Sequence, residues 1–223
     1  IKGVKETLRK LSRLSAYINQ SLISDNESIW IAQKEGRAND GNDFSDEGVF
    51  KMLYLNERKS KTLNEWIKEV NLTPIVISYE YDPLDTVKVK GWDHQVNWTR
   101  EQTNKNDLNE MSIGIFGFKG RVHLHICEPV SQEVNDTKEL SRIVEEEIIK
   151  NYHIWPSNQV ASDLLTQMNI ETFDELQTSQ NESLSSYFYP RLNSLSLNQR
   201  KELLKTYARP VINKKKAKLA SGL

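Results

Sequence analysis

Three adjacent residues of unlike chemistry, Glu35-Gly36-Arg37, form the most informative group in the sequence. Gly36 allows a tight backbone turn or the close approach of a ligand. Arg37 offers a planar fork of donors that suits a phosphate, and the neighbouring Glu35 is able to hold the guanidinium in place. Taken alone, the triplet fits either a plain turn with a surface ion pair or an anion-binding turn.

The elements on either side of this triplet are expected to position it. The short apolar run 29–32, rich in β-branched and aromatic residues, predicts a buried strand just before Glu35. Ligands of open α/β sheets bind at the carboxyl ends of strands, where the triplet would lie. Apolar residues at three- and four-residue steps predict an amphipathic helix over 4–23, and a second buried strand is predicted over 74–81.

A hairpin is predicted further along the chain. Residues 112–118 and 121–128 are interpreted as two strands closed around Lys119-Gly120. In the second strand an apolar set alternates with polar residues, which predicts one buried face; the set is Val122, Leu124 and Ile126.

The order of these elements indicates an α/β layer architecture. Further helices are predicted over 49–55 and 140–148, and the chain from Pro156 onward is interpreted as helical with breaks at Pro190 and Pro210. We therefore predict an α/β domain over 1–130 and a helical C-terminal extension over 131–223 that packs on it.

Composition limits the classes of protein that fit. The 223 residues carry 30 basic and 31 acidic side chains, and no basic-aromatic motif occurs, which disfavours a nucleic-acid partner. The single Cys127 excludes an internal disulfide framework. No apolar stretch approaches the roughly 20 residues that a membrane span needs. Because Ile1 leads almost directly into a helical pattern, we expect the first part of the protein to be missing from this sequence.

Three segments resemble conserved blocks of the glycerol-phosphate and lysophosphatidate acyltransferase family, in its bacterial subgroup. Residues 29–43 are similar to the family's block of an apolar strand followed by Glu-Gly-Arg and an Asp-Gly-Asn-Asp-like loop. Residues 74–80, which open with Pro74, are similar to the next block at a suitable spacing. Residues 120–129 resemble the strand that closes these domains.

This resemblance implies a mixed, mostly parallel sheet flanked by helices and a function in phospholipid synthesis. The activity would be transfer of a fatty acyl group from a thioester donor, acyl-CoA or acyl-carrier protein, to a lysophosphatidate-like glycerol-phosphate acceptor. Arg37 would bind the acceptor phosphate, Glu35 and Gly36 would shape the pocket, and Pro74 would position the neighbouring strand. No metal or resident cofactor is implied, and the protein would lie at the cytoplasmic face of the inner membrane as a peripheral protein.

The sequence departs from the family in one respect. Family members use a His-x4-Asp pair to remove the acceptor's hydroxyl proton, and this sequence contains no such pair. We expect the pair to lie before Ile1, so this chain alone would be inactive. His123-x4-Glu128 has the spacing but follows the Glu-Gly-Arg block instead of preceding it. A non-catalytic lipid- or protein-binding module that keeps the pocket is the alternative.

Other candidates for chemistry are weaker. Cys127 is interpreted as a small buried residue and not a nucleophile. His123-x-His125 lacks a third metal ligand, and an acidic loop does not match an EF-hand; its residues are Asp40, Asn42, Asp43, Asp46 and Glu47. The basic C-terminal tail suits either anionic lipid headgroups or a solvated end, and the basic face of residues 5–13 shares this ambiguity. The tail's basic residues are Lys205, Arg209, Lys214, Lys215, Lys216 and Lys218.

Overall fold

The computed structural model describes residues 2–34, 42, 44–91, 100–167 and 181–220. In this part of the chain helices dominate. The α-helices are α1 (Lys2–Asn19), α2 (Glu47–Tyr54), α3 (Leu63–Glu69), α4 (Asp85–Gly91), α5 (Arg100–Phe116), α6 (Thr137–Asn151), α7 (Pro156–Gln167), α8 (Tyr189–Asn193) and α9 (Leu197–Ala220). Short π-helical turns extend α1 over Gln20–Ser24 and precede α8 over Leu184–Phe188, and a 3₁₀ turn covers Glu57–Lys59.

The predicted fold class is wrong. The described residues contain one sheet of two antiparallel strands, β1 (Ile75–Tyr79) and β2 (Val122–Ile126), in place of a mostly parallel sheet flanked by helices. The antiparallel direction follows from the flanking hydrogen bonds, since Glu80 N donates to Arg121 O at 2.9 Å and Cys127 N donates to Pro74 O at 3.0 Å.

Two predicted strands are absent at their predicted positions. Residues 29–32 have no regular secondary structure, and Trp30 is 67% exposed, so this run is not a buried strand. Residues 112–116 belong to helix α5 and the chain then turns directly into β2, so the predicted hairpin is wrong. Strand β2 itself is confirmed, but its apolar set Val122, Leu124 and Ile126 is exposed while His123 and His125 are half-buried.

The predicted helices agree better with the structure than the predicted strands. The spacing of apolar residues correctly predicted α1, α2 and α6, although α6 is longer than the predicted segment. Pro210 does not end a helix as predicted but lies inside α9, and Pro190 lies in the first turn of α8.

The chain forms two compact units. Unit 1 comprises 1–37, 43–76 and 125–151, and unit 2 comprises 38–42, 77–124 and 152–223. The predicted boundary at residue 130 stays a prediction.

A buried polar hub joins three helices of unit 1. The Asn19 side chain donates to Leu53 O at 2.8 Å and accepts a hydrogen bond from Trp66 Nε1 at 2.7 Å. Ser15 Oγ donates to the same Leu53 carbonyl at 2.9 Å and accepts from Asn56 N at 3.0 Å. Because buried polar groups are costly unless they are paired, these bonds fix α1 against the end of α2 and against α3.

The core of unit 2 is built from α4, α7, α8 and α9, and includes several aromatic residues. Phe188, Leu192 and Leu204 are fully buried in it, with Tyr81 and Tyr207 beside them. The Phe188 and Tyr207 rings meet edge to face, with centroids 4.9 Å apart.

Candidate functional site

Three of the four residues predicted to bind substrate, Glu35, Gly36 and Arg37, lie outside the described residues. The fourth, Pro74, is buried directly before β1. Its carbonyl accepts a hydrogen bond from Cys127 N at 3.0 Å. A proline is well suited to this position, since it lacks an N–H and a strand start needs no donor there.

A cavity of about 540 Å³ lies within unit 1, and we call it the unit 1 cavity. Its wall contains residues 29–33, the run that leads into Glu35-Gly36-Arg37. Pro74 and Ile75 form another part of the wall, and Ile126 of β2 a third. The three segments that carry the family resemblance are far apart in sequence, but each contributes residues to this one cavity.

Helices complete the wall of the unit 1 cavity with apolar side chains. Phe50 and Leu53 of α2 line it, as do Val144 and Ile148 of α6 and Trp66 of α3. All five of these side chains are buried. A largely apolar pocket of this size suits an apolar group such as a hydrocarbon chain.

Polar residues on the cavity wall show local backbone strain. Asn26 and Asn71 both line the cavity, and both have a left-handed backbone, with φ of 55° and 53°. They are the non-glycine residues with positive φ in the described part of the chain. Asparagine tolerates this conformation better than most residues, and such conformations concentrate at ligand sites.

One carboxyl group near the cavity wall was not singled out by the sequence. Glu145 lies on α6 beside the wall residue Val144, and burial raises its pKa, although a hydrogen bond from Ser45 N at 3.3 Å opposes that shift. A carboxyl with a raised pKa is suited to proton exchange. Glu145 does not line the cavity; the carboxyl groups on the wall belong to Glu27 and Glu69, and Glu69 is paired with Lys61.

The structure also shows the surroundings of two other candidate residues, His123 and Cys127. His123 lies against the ring of His153, with centroids 4.9 Å apart, while Glu128 is exposed. Cys127 is buried, and burial raises the pKa of its thiol, which favours the unreactive protonated form.

The acidic loop is only partly described, since Asp40 and Asp43 lie outside the described residues. Asp46 caps α2 by accepting a hydrogen bond from Gly48 N at 2.7 Å, and Glu47 pairs with Lys51 at 2.9 Å. Among the residues that the structure describes, no group of three or more His, Cys, Asp or Glu side chains is arranged to hold a metal ion.

None of the helices in the described ranges is both long enough and apolar enough to cross a membrane. Comparison with known proteins gives no family: no family model matches the chain, and neither a curated protein nor a solved structure matches it significantly.

Proposed function

We propose that this protein is an O-acyltransferase that transfers a fatty acyl group from a thioester donor to a lysophosphatidate-like glycerol-phosphate acceptor. One observation carries the proposal: the segments that resemble three blocks of that family all contribute to the wall of the unit 1 cavity. The described sheet has only two strands, so the fold class gives no support to the proposal.

The cavity and the Glu-Gly-Arg triplet would divide the substrate between them. Apolar side chains such as Phe50 and Ile148 would contact the acyl chain. Gln33 lies on the wall, and Arg37 follows four residues later, so the chain keeps Arg37 within about 14 Å of Gln33. Arg37 would therefore bind the phosphate of an acceptor whose acyl chain occupies the cavity.

A second candidate function is a non-catalytic module that binds such lipids. The observation in its favour is that the sequence contains no His-x4-Asp pair. The two functions share the binding site and differ only in turnover.

Binding of lysophosphatidate to the chain, measured by calorimetry, tests the shared site. Arg37→Ala should weaken binding by roughly 10-fold or more, because a charge-assisted hydrogen bond to phosphate contributes about 1.5–3 kcal/mol. Binding of the unphosphorylated monoacylglycerol should not change. Ala32→Phe should weaken binding of long-chain lysophosphatidate much more than binding of glycerol phosphate, because Ala32 is an exposed wall residue that a larger side chain would extend into the cavity.

Two variants serve as controls. Arg13→Ala removes an exposed arginine of α1, and Ala32→Ser leaves the cavity open; both should bind like the parent chain. Equal affinity of the Arg37→Ala variant for lysophosphatidate would refute the phosphate role.

Phosphatidate formation by the protein as its gene encodes it then separates the two functions. Turnover from a palmitoyl thioester, with a raised acceptor Km in Arg37→Ala, is expected for the acyltransferase. Tight binding of lysophosphatidate without any product would establish the non-catalytic module.

A further inference from the structure

A cluster of cationic and imidazole side chains lies in unit 2 and shares no residue with the wall of the unit 1 cavity. We call it the imidazole cluster. Its members are Arg121, which directly precedes β2, His123 of β2, His153, which precedes α7, and Lys214 of α9. The His123 and His153 rings are stacked with centroids 4.9 Å apart and planes inclined by 29°. The positive charge of Lys214 lowers the pKa of His153, so we count Lys214 with this cluster.

A buried tryptophan forms the base of the imidazole cluster. Trp155 is only 6% exposed, its ring lies edge-on to His153 at 4.2 Å, and the Arg121 guanidinium lies over it at 4.9 Å from the ring centroid. The Trp155 Nε1–H is buried without a hydrogen-bond partner. Because this atom has almost no exposed surface, Trp155 contributes to the cluster through its ring, which packs against His153 and Arg121.

The positive charge of the cluster is only partly neutralised. Glu80 engages Arg121 in a bidentate pair, with Nε to Oε2 at 3.0 Å and Nη2 to Oε1 at 2.9 Å. These bonds use two of the five guanidinium donors. In the described ranges no carboxylate lies within salt-bridge distance of Lys214, which is half-buried.

Burial and, to a smaller extent, neighbouring positive charges lower the pKa of two groups in the cluster. Burial lowers the pKa of His153, and the neighbouring His123, Arg121 and Lys214 lower it further. Burial also lowers the pKa of Lys214, with a smaller contribution from Lys218. A bound anion would raise the pKa of both His153 and Lys214, because it favours their charged forms.

We propose that the imidazole cluster binds a phosphate monoester. Guanidinium, imidazole and ammonium groups together provide donors in several directions, which fit the three acceptor oxygens of a phosphate dianion better than the two of a carboxylate. This site goes beyond the acyltransferase proposal and does not depend on Arg37. The phosphate belongs either to a soluble ligand, such as a nucleotide, or to a lipid headgroup.

Histidine NMR of the whole chain, titrated with inorganic phosphate at constant ionic strength, tests the site. The His153 signals should shift saturably, and the pKa of His153 should rise when phosphate is bound, because the anion favours the imidazolium. Chloride at the same ionic strength should cause no such shift.

Matched variants isolate the cluster from general charge effects. Lys214→Gln and His153→Gln should each weaken phosphate binding at least several-fold. Lys216→Gln removes an exposed lysine of the same helix, and His125→Gln a histidine of the same strand; both should bind like the parent. Equal weakening by Lys214→Gln and Lys216→Gln, or the absence of a saturable shift at His153, overturns the proposal.

Two further arms identify the source of the phosphate. Coenzyme A against dephospho-coenzyme A tests a soluble phosphate monoester, and micellar lysophosphatidate against monoacylglycerol tests a lipid one. A His153 shift that requires the phosphate in either pair supports the site and names its source. Arg37→Ala should leave all these shifts unchanged, so failure here is distinct from failure of the acyltransferase proposal.

Discussion

At the scale of single residues, one tyrosine hydroxyl connects two parts of unit 2. Tyr207 Oη donates to Asp85 Oδ2 at 2.8 Å and accepts from Asp82 N at 2.9 Å. Asp85 is itself buried and paired with Arg191. Burial, with a further contribution from Asp85, raises the pKa of Tyr207 well above its ordinary value, so the hydroxyl remains a donor at any physiological pH.

Tyr207→Phe should therefore destabilise the chain by about 1–3 kcal/mol, because it leaves the Asp82 N–H and one Asp85 oxygen short of a partner in a buried site. Urea unfolding measured by circular dichroism gives the difference. Tyr17→Phe, at a tyrosine that is 66% exposed on α1, should be neutral. If both variants unfold at the same urea concentration, the Tyr207 hydroxyl contributes nothing to stability.

At the scale of elements, the turn into β2 depends on one glycine. Gly120 has φ of 62°, and a Cβ at this position would lie 2.8 Å from both Glu80 Oε2 and Tyr81 Cδ2. The Glu80 carboxylate has little freedom to move, because Arg121 holds it by two hydrogen bonds. Both the left-handed backbone and the close contact exclude a side chain here.

Gly120→Ala should accordingly lower the free energy of unfolding by about 1–3 kcal/mol, the usual cost of a non-glycine residue in a strained conformation. Thermal unfolding followed by circular dichroism measures the loss. Gly3→Ala is the matched control, since no atom lies within 4 Å of its added Cβ and alanine favours the helix. A loss no larger than that of Gly3→Ala would show that the turn is not constrained by residue 120.

The same elements show how far the sequence could be interpreted. Apolar spacing was enough for α1 and α6, although only α6 buries most of its stripe, while Val4 and Leu8 of α1 are exposed. The hairpin interpretation was wrong for residues 112–116, where a strand was predicted but the chain continues helix α5. In β2 the alternation of apolar and polar residues was predicted correctly, but the wrong face was predicted to be buried. A period of two does not show which face is covered.

The candidate site was predictable in part for a similar reason. The residues of the run before Arg37 and of the segment at Pro74 were singled out in the sequence. Described residues of both segments contribute to the cavity wall. Phe50 and Val144 were not singled out, because their place on the wall depends on long-range packing of α2 and α6. The imidazole cluster likewise joins residues from 121 to 214, which no local pattern connects.

At the scale of the whole molecule, a small net charge coincides with exposed apolar surface. The formal net charge is −1 at pH 7, so repulsion between copies of the chain is weak. Helix α5 carries Leu108, Met111 and Ile115 at steps of three and four, and each of these side chains is more than half exposed. Apolar side chains that share one exposed helix face favour association.

We therefore expect the chain to self-associate with rising concentration at pH 7, as measured by sedimentation velocity. The double variant Leu108→Glu with Ile115→Lys keeps the net charge constant but interrupts the apolar face, so it should associate much less while unfolding at the same temperature. Leu108→Met with Ile115→Leu preserves the apolar face and should behave like the parent. If the charged variant sediments as the parent does at every concentration, α5 is not the associating surface, and the exposed apolar face of β2 becomes the next to substitute, because Val122 and Leu124 are also more than half exposed.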